Sequence, residues 1–480
     1  MTEIDYENLK FKAGLEIHQQ LDSGKLFCRC PSVLRKDEPD FEVSRKLHAV
    51  AGESGDVDVA VAHEALQNKK FVYQGYDTTC LVELDEEPPH EINSGALKIA
   101  MQIGFLMNMK IVPITQIMRK VVVDGSNTSG FQRTVLIARD GFIETSFGKV
   151  GISYLYLEED AARIVERGKE KNVYRLDRLG IPLVEIVTAP DLKNAKQAKE
   201  VALKIGEILR SCRVRRGIGT IRQDVNISIR GENRVEIKGM QDMKIFEKVI
   251  LGEIERQKNL SDAKNPTEME VRNALPDGST EFMRPLPGSS RMYPETDLPI
   301  LKIPRKFIDD AKKNLPKMKT ELEDELKGSG LSKEMIKLLL KENKIEEFKE
   351  LIEILNKPNL IAKMILIFSK EIAKHKNKSF EKVYEMLEDN FSDVLIALKN
   401  KKISERDVKH VLERIVDGVG IKEALIFEKE DLGNIEEKIL KIIKSKPGLS
   451  DKAYMGLVMK EFRGKVDGRT AMEIIGKLMK

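Results

Sequence analysis

The chain has 480 residues and is long enough for two or more domains, because single hydrophobic cores rarely grow beyond about 250 residues. Apolar residues make up 41% and charged residues 33% of it, which excludes disordered and collagen-like chains. Residues 301–480 carry 39 Lys and Arg against 32 Asp and Glu, so this part is the better candidate for a polyanion-binding surface. A solvated, Lys- and Glu-rich helical surface has the same composition.

The first predicted strand whose side chains could take part in a reaction is Gly14–His18. Alternation places Leu15 and Ile17 on one face, and Glu16 and His18 together on the other. The carboxylate and the imidazole can therefore point into one cavity, although an exposed strand face would show the same pattern.

The loop Asp124–Arg133 contains turn-forming residues and hydroxyl groups, among them Ser126 and Thr128. Its backbone amides and hydroxyls can cradle phosphates, yet the Gly-Lys-Ser/Thr pattern of a P-loop is absent from the sequence. An ordinary surface loop fits equally well.

Two further predicted strands carry carboxylates. Tyr154–Asp160 ends in three consecutive acids, Glu158, Glu159 and Asp160, whose repulsion Mg²⁺ or a helix N-terminus would relieve. In Ile181–Val187 the single acid, Glu185, is expensive to bury without a partner, so it faces either solvent or a site.

The segments Arg222–Arg230 and Arg234–Lys238 alternate and are joined by a Gly-containing turn, which predicts a β-hairpin. One face is polar; its members on the first segment are Arg222, Asp224, Asn226, Ser228 and Arg230. Upstream, the arginines of 213–216 precede Gly217 and Gly219, a combination suited to close approach by phosphate. A solvated antiparallel sheet is the alternative.

From Pro304 onward the pattern becomes helical, with Lys- and Glu-rich segments separated by Gly and Asn-Pro. The predicted fold class is α+β. A mixed α/β domain with an antiparallel sheet spans 1–302, an all-helical domain spans 303–405 and a small helical tail domain spans 406–480.

The cysteine content and the hydropathy of the chain argue against a disulfide-stabilised protein and against a membrane-spanning one. Four cysteines cannot form a disulfide framework, and Cys28 and Cys30 supply only two zinc ligands while Cys80 and Cys212 stand alone in the sequence. Because no run of about eighteen apolar residues occurs and Met1–Asn8 is acidic, we expect a cytoplasmic protein without a membrane span.

In order along the chain, these motifs resemble the GatB/GatE family of tRNA-dependent amidotransferase subunits. The similarity spans nearly the whole chain and lies in Gly14–His18, Leu157–Ala161, Tyr174–Glu185, Arg222–Ser228, Val235–Lys238 and Tyr293–Asp297. Within the family, the archaeal GatE branch is more similar than bacterial GatB at Leu26–Ser32, Asp124–Gln132 and Arg284–Pro294.

The resemblance implies ATP- and Mg²⁺-dependent phosphorylation of the glutamyl group of Glu-tRNA(Gln), followed by amidation with ammonia. It assigns Mg²⁺ binding or substrate orientation to Glu16, His18, Glu158 and Glu185, with Glu159 adjacent and Asp224 and Asn226 completing the site. Nucleotide contacts fall on Arg222, Ser228, Ser126 and Thr128. The implied partners are Glu-tRNA(Gln) and the asparaginase-like D subunit of a hetero-oligomer, with no role for DNA. The tail resembles the YqeY family.

One departure from the family is expected. Archaeal GatE carries an insertion, similar to one in bacterial aspartyl-tRNA synthetases, before the stretch equivalent to Val271–Asp277, whereas here Lys258–Thr267 leads almost directly into it. Two other functions therefore stay open: a noncatalytic tRNA-binding scaffold, and a metal-dependent hydrolase that uses the same carboxylates without ATP.

Overall fold

The computed structural model describes residues 4–51, 55–265, 267–288, 292–342, 344–426, 432–461 and 468–479. The chain forms two compact units, Met1–Met318 and Lys319–Lys480. Strands and a few helices make up the first unit and helices make up the second, so the predicted α+β class is confirmed. The predicted domain boundaries after residues 302 and 405 stay predictions.

The strands of the first unit form one large sheet and two small ones. They are β1 (Lys12–Gln20), β2 (Phe41–Arg45), β3 (Lys70–Gly75), β4 (Lys110–Ile111), β5 (Ile114–Thr115), β6 (Ile117–Val121), β7 (Phe131–Thr145), β8 (Gly148–Glu159), β9 (Arg163–Arg167), β10 (Lys171–Arg175), β11 (Pro182–Thr188), β12 (Ile221–Ser228), β13 (Val235–Lys238), β14 (Glu270–Ala274), β15 (Thr280–Pro285), β16 (Met292–Pro294) and β17 (Leu301–Lys302).

The large sheet has eleven strands in the order β15-β14-β13-β12-β1-β11-β8-β7-β6-β16, with β4 paired to β7. Its pairs are antiparallel except for β13 and β14, which run parallel. The small sheets have the orders β2-β3-β10-β9 and β17-β5. The motif-bearing strands β1, β8, β11 and β12 are therefore consecutive neighbours within one sheet.

Strand β1 has the alternation that the sequence predicted. Leu15 and Ile17 are buried in the main hydrophobic core, whereas Glu16 and His18 point to the other face and are partly exposed. Because residues that face each other across an antiparallel pair lie on the same side of the sheet, β11 and β12 extend both faces of β1.

The helices described in the first unit are α1 (Val59–Ala65), α2 (Ser94–Leu106), α3 (Ala195–Ser211), α4 (Phe246–Asp262) and α5 (Arg305–Lys313). Three of them, α2, α3 and α4, cover the apolar side of the large sheet, whereas Val61 of α1 belongs to a separate small cluster with Val121 and Val123. Apolar residues of α2, α3 and α4 share the main core with Leu15 and Ile17. Asn194 caps α3 by accepting a hydrogen bond from the backbone N–H of Gln197 at 2.8 Å.

Strands β12 and β13 form the predicted hairpin, and the chain then crosses over through α4 to reach β14. Between α4 and β14, buried Thr267 donates its N–H to Glu232 at 2.6 Å and its hydroxyl to the same carboxylate. Asn233 donates to the carbonyl of Thr267 at 2.8 Å. These bonds tie the short stretch, where an insertion was expected to be missing, to the hairpin.

The second unit is helical throughout its described residues. Its elements are α6 (Lys319–Lys327), α7 (Lys333–Glu342), α8 (Ile345–Ile354), α9 (Pro358–Ala362), a π-helical turn (Lys363–Phe368), α10 (Ser369–His375), α11 (Phe380–Glu388), α12 (Phe391–Lys399), α13 (Val408–Val416), α14 (Ile421–Ala424), α15 (Leu432–Ser445), α16 (Asp451–Glu461) and α17 (Gly468–Leu478). One core spans Leu326 to Ala424 and a separate small core joins α15, α16 and α17. No described helix combines the length and apolar character needed to cross a bilayer.

The central position of β1 gives a stability prediction. We expect Leu15→Ala to lower the free energy of unfolding by about 2 to 5 kcal/mol, because it leaves a cavity between the sheet and its helices. Leu203→Ala is the matched control, since Leu203 on α3 is 48% exposed and its loss should change stability by about 0.5 kcal/mol or less. Urea denaturation followed by circular dichroism measures both, and equal costs would contradict the assignment of β1 to the core.

Candidate functional site

A cavity of about 460 Å³ opens on the polar face of the large sheet. Charged side chains from several strands and the adjoining loops line it, and most of these strands are neighbours in the sheet. The charged or titratable lining residues are Glu16, His18, Lys120, Glu158, Asp160, Glu185, Arg222, Asp224, Arg234, Glu236, Lys238 and Arg284. The concentration of both signs of charge in one cavity marks it as the candidate active site.

The first charged group in the cavity joins three adjacent strands. His18 Nε2 lies 3.3 Å from Glu185 Oε2 and 3.7 Å from Glu158 Oε1. Lys120 on β6 reaches the same two acids, with Nζ 2.9 Å from Glu158 Oε2 and 3.2 Å from Glu185 Oε2. The sequence motifs on β1, β8 and β11 thus meet in space, and the lone acid of β11 has two basic partners.

The ionisation of this group follows from its contacts. Burial favours neutral His18, but the hydrogen bond with Glu185 and the charges of Glu185 and Glu158 raise its pKa above the ordinary value. Burial also favours neutral Glu185, yet Lys120 and His18 hold the pKa of that carboxyl well below its usual range. Glu185 is therefore ionised at neutral pH.

A second charged group lies on β1, β12 and β13. Glu16 accepts a hydrogen bond from Asn226 Nδ2 at 3.2 Å, and Lys238 Nζ lies 2.7 Å from Asp224 and 2.6 Å from Glu236. Burial, together with the charges of Glu185 and Glu236, raises the pKa of Glu16 to about 7. The proton on Glu16 thus leaves in the physiological range.

Both groups fit a divalent cation. In His18, Glu158 and Glu185, one donor atom from each residue lies within 4.8 Å of the other two. The same holds for Glu16, Asp224 and Glu236. Carboxylate oxygens are the ligands that Mg²⁺ prefers in proteins, and the two groups belong to one cavity.

Arg222 stands beside these groups. Its guanidinium donates to Asp160 Oδ1 at 2.8 Å, and the amide of Gln20 donates to Asp160 Oδ2 at 2.6 Å. Asp160 is almost completely buried, so this ion pair fixes the arginine at the cavity wall. The end of β8 and the start of β12 are linked through it.

Some predicted site residues lie elsewhere. Glu159 follows Glu158 on the strand and therefore points to the opposite face, where Arg133 Nη1 is 3.3 Å from its Oε2. Arg133 also reaches Glu295 at 2.8 Å, and burial raises the pKa of Glu159. Glu159 thus belongs to a buried ionic network that joins β7, β8 and the chain after β16.

The predicted nucleotide contacts are divided. Thr128 donates its hydroxyl to the carbonyl of Glu83 at 2.7 Å and lines a separate cavity of about 10 Å³. The N–H of Ser126 donates to Asp124 at 2.9 Å, and Ser228 pairs with Lys12, the first residue of β1. Of the four, the structure brings only Arg222 to the wall of the main cavity.

Several cavity residues were not singled out as site residues from the sequence. Lys120 had no signal beyond a charge in a predicted strand region, and Asp160 was noted only as the last of three consecutive acids. Glu236 and Lys238 belong to the alternating segment Arg234–Lys238, which was predicted as one strand of a hairpin and not linked to the site. The link is the register, because Asn226 faces Gly14 on β1 and Glu236 on β13. That register places Glu236 and Lys238 on the same face of the sheet as Glu16 and His18.

Cys80 does not stand alone in space. Donor atoms of Cys28, Cys30, Cys80 and Glu83 all lie within 4.8 Å of one another, a donor set able to hold a tetrahedral metal ion. Glu83 also contacts the buried ammonium of Lys25 and accepts from the N–H of Cys80 at 3.0 Å. The fourth cysteine, Cys212, packs in the main core.

The fold and the cavity define a class of protein. Its large sheet is mostly antiparallel and backed by helices, and the open face of that sheet holds paired cation-donor groups and basic side chains. Comparison with known proteins specifies it further. Residues 11–309 match the family model described as the GatB/GatE catalytic domain, and the chain belongs to this family.

Similar proteins include three named as the E subunit of glutamyl-tRNA(Gln) amidotransferase. The protein from Methanocaldococcus jannaschii is 38% identical, with 100% of both chains covered. Those from Methanosarcina barkeri and Methanosarcina acetivorans are 35% and 34% identical, with 99% of each chain covered. The alignment with the first extends over 635 positions, more than the 480 residues of this chain, so that relative contains sequence with no counterpart here.

The raised pKa of Glu16 predicts pH-dependent cation binding. We expect the affinity for Mn²⁺, a probe for Mg²⁺, to fall below pH 7 by up to about tenfold per pH unit, because a protonated Glu16 is a poor ligand. Calorimetric titration from pH 6 to 8 measures this. Glu16→Gln should reduce the pH dependence, whereas Glu166→Gln on exposed β9 should behave as wild type. Equal affinity at pH 6 and 8 would contradict the assignment.

The cysteine cluster predicts unequal thiol reactivity. Hydrogen bonds from Cys28 and Cys30 lower the pKa of Cys80 to about 6, whereas burial raises the pKa of Cys212 to about 12. With EDTA present at pH 7.5, we expect iodoacetamide to modify Cys80 at least about tenfold faster than Cys212. Peptide mass spectrometry measures both rates. A fast phase that persists in Cys80→Ser would show that another thiol is the reactive one.

Proposed function

We propose that this chain is the component of a tRNA-dependent amidotransferase that phosphorylates the glutamyl γ-carboxylate of Glu-tRNA(Gln) with ATP and then amidates it. One observation carries the proposal: paired cation-donor groups and basic side chains share a cavity in a member of the GatB/GatE family. The names of the relatives, which specify glutamyl-tRNA(Gln) amidotransferase, support the choice of substrate.

The proposed reaction has two displacements. A γ-carboxylate oxygen attacks the γ-phosphorus of ATP and ADP leaves, because a carboxylate by itself has no leaving group that ammonia can displace. Ammonia then attacks the acyl carbon of the γ-glutamyl phosphate, inorganic phosphate leaves and the nitrogen gives a proton to solvent. The product is Gln-tRNA(Gln).

The residues of the cavity suit both steps. Bound Mg²⁺ would neutralise phosphate charge during transfer, and its donors would be His18, Glu158 and Glu185, together with Glu16. Lys120, Lys238 and Arg222 provide positive charge at three points of the same wall, where phosphate or the substrate carboxylate would be held. Positioning and charge neutralisation account for most phosphoryl-transfer catalysis.

Ammonia would come from a partner. The sequence lacks the Ser-Ser-Lys pattern of an amidase, so we propose a cytoplasmic hetero-oligomer whose asparaginase-like D subunit releases ammonia from glutamine. The second unit, which contains most of the basic 301–480 region, would bind the body of the tRNA mainly through its phosphates.

Glu185 provides the mutational test. We expect Glu185→Gln to lower ammonia-dependent formation of Gln-tRNA by about 100-fold or more, because it removes an ionised ligand and one of the two carboxylates that Lys120 and His18 share. Binding of tRNA, measured on filters, should change less than about threefold. Glu166→Gln is the matched control. Loss of tRNA binding would instead make Glu185 a structural residue.

A noncatalytic tRNA-binding scaffold is the second candidate, favoured by the sequence that the relatives have and this chain lacks. The purified chain with Glu-tRNA(Gln), ATP, Mg²⁺ and ammonium chloride separates the two. Gln-tRNA supports the enzyme; tRNA binding without product or substrate-dependent ATP hydrolysis supports the scaffold.

A further inference from the structure

The segment between α3 and β12 contains a positively charged loop that the proposed chemistry does not use. Four arginines fall within seven residues, at 210, 213, 215 and 216, and Gly217-Ile218-Gly219 follows. We call residues 210–219, which are the last two residues of α3 and the loop that follows, the arginine loop. None of them lines the main cavity, although Arg222, three residues further on, does.

The base of the arginine loop is fixed to β1. Gln19 donates its side-chain amide to the carbonyls of Arg215 at 2.9 Å and Thr220 at 3.1 Å, and the N–H of Asp22 donates to the carbonyl of Arg213 at 3.0 Å. The guanidinium of Arg215 also bonds to the carbonyl of Ser32. Because β1 carries Glu16 and His18, the loop keeps a fixed position relative to the candidate active site.

The tip of the loop is open. Gly217 and Gly219 have φ angles of +122° and +84°, and a Cβ atom built on either would meet nothing within 4 Å. Ile218 between them is fully exposed. A single exposed isoleucine needs no explanation, but one between two open glycines and beside a cluster of arginines forms a surface that a ligand backbone can approach closely.

The charge of the loop is concentrated locally. Arg210, Arg213 and Arg216 are exposed, and Arg216 donates to the carbonyl of Arg210 at 3.0 Å. Partial desolvation of the guanidinium and its repulsion by the like charge of Arg210 lower the pKa of Arg216. Residues 1–300 as a whole carry 43 basic against 46 acidic residues, which makes this cluster an exception within them. A polyanion would relieve the repulsion.

We infer that the arginine loop binds phosphates of the tRNA next to its aminoacylated end, with Ile218 against a ribose or base. This inference rests on the proposed function. The arginines are spaced along an exposed loop rather than gathered in a cavity, which suits successive backbone phosphates better than one nucleotide. An extended chain from Gly219 to Arg222 spans at most about 11 Å, so the loop lies near where the glutamyl group would react.

The test compares two double variants. Arg213→Gln with Arg216→Gln should raise the Kd for deacylated tRNA(Gln) by about 10- to 100-fold at about 100 mM salt. It should also flatten the plot of log affinity against log salt by about 0.7 to 0.9 for each phosphate that the variant no longer neutralises. Arg139→Gln with Arg167→Gln is the matched control, since both arginines are exposed in the same unit, and it should match wild type.

The variant Ile218→Ala tests the apolar contact separately from the phosphate contacts. It should raise the Kd about three- to tenfold and leave the salt slope unchanged, because an apolar contact releases no counterions. Being fully exposed, Ile218 can be replaced without loss of the fold. At saturating Glu-tRNA, kcat for ammonia-dependent amidation should stay within about twofold of wild type in the Arg139/Arg167 control.

The other possible outcomes also decide whether the arginine loop binds tRNA. Unchanged Kd and salt slope in the Arg213/Arg216 variant overturn the inference, whether or not the wild-type protein amidates. If tRNA binding is intact and only glutamine-dependent, not ammonia-dependent, amidation falls, the loop contacts the ammonia-supplying protein and the inference is wrong. The Kd is measured without turnover, so the two failures can be told apart. If only the proposed function is wrong, the loop variants still weaken tRNA binding as expected, but the wild-type protein forms no product.

Discussion

The placement of six buried or partly buried carboxylates on one face of a central sheet is the constraint on which the rest of this structure depends. Glu16, Glu158, Asp160, Glu185, Asp224 and Glu236 line one cavity and would repel each other there. Buried charges persist only when they are paired, and each acid here has a basic or hydrogen-bonding partner within the site. The positions of Lys120, Arg222 and Lys238 are thus required by the acids as much as by any ligand.

The sheet satisfies this constraint by separating its two faces. Apolar residues of β1, β11 and β12 pack against α2, α3 and α4, which fixes the strands rigidly. The charged residues then stand on the other side at spacings set by the register, as where His18 lies opposite Glu185 and Arg222. A rigid apolar layer behind the site keeps charged groups close together that solvent would otherwise drive apart.

The sequence predicted the local features of the site correctly where strand alternation decided them. Glu16 and His18 share a face because two residues separate equivalent positions on a strand, and the β12–β13 hairpin pairs as its turn predicts. The same rule separates Glu158 from Glu159, since consecutive residues of one strand point to opposite sides. Strand alternation therefore predicts that Glu159 points away from the site, whereas the resemblance to the family placed Glu159 next to the site residues.

Contacts between distant segments are what the sequence did not reveal. Cys80 lies fifty residues from Cys30, and Lys120 lies sixty-five residues from Glu185, so no local period connects either pair. The sequence by itself determined which residue types occur, which strand faces are polar and which family motifs follow each other. Only the tertiary structure decided which acid meets which base, because strand order and register are set by packing of the whole core rather than by any one segment.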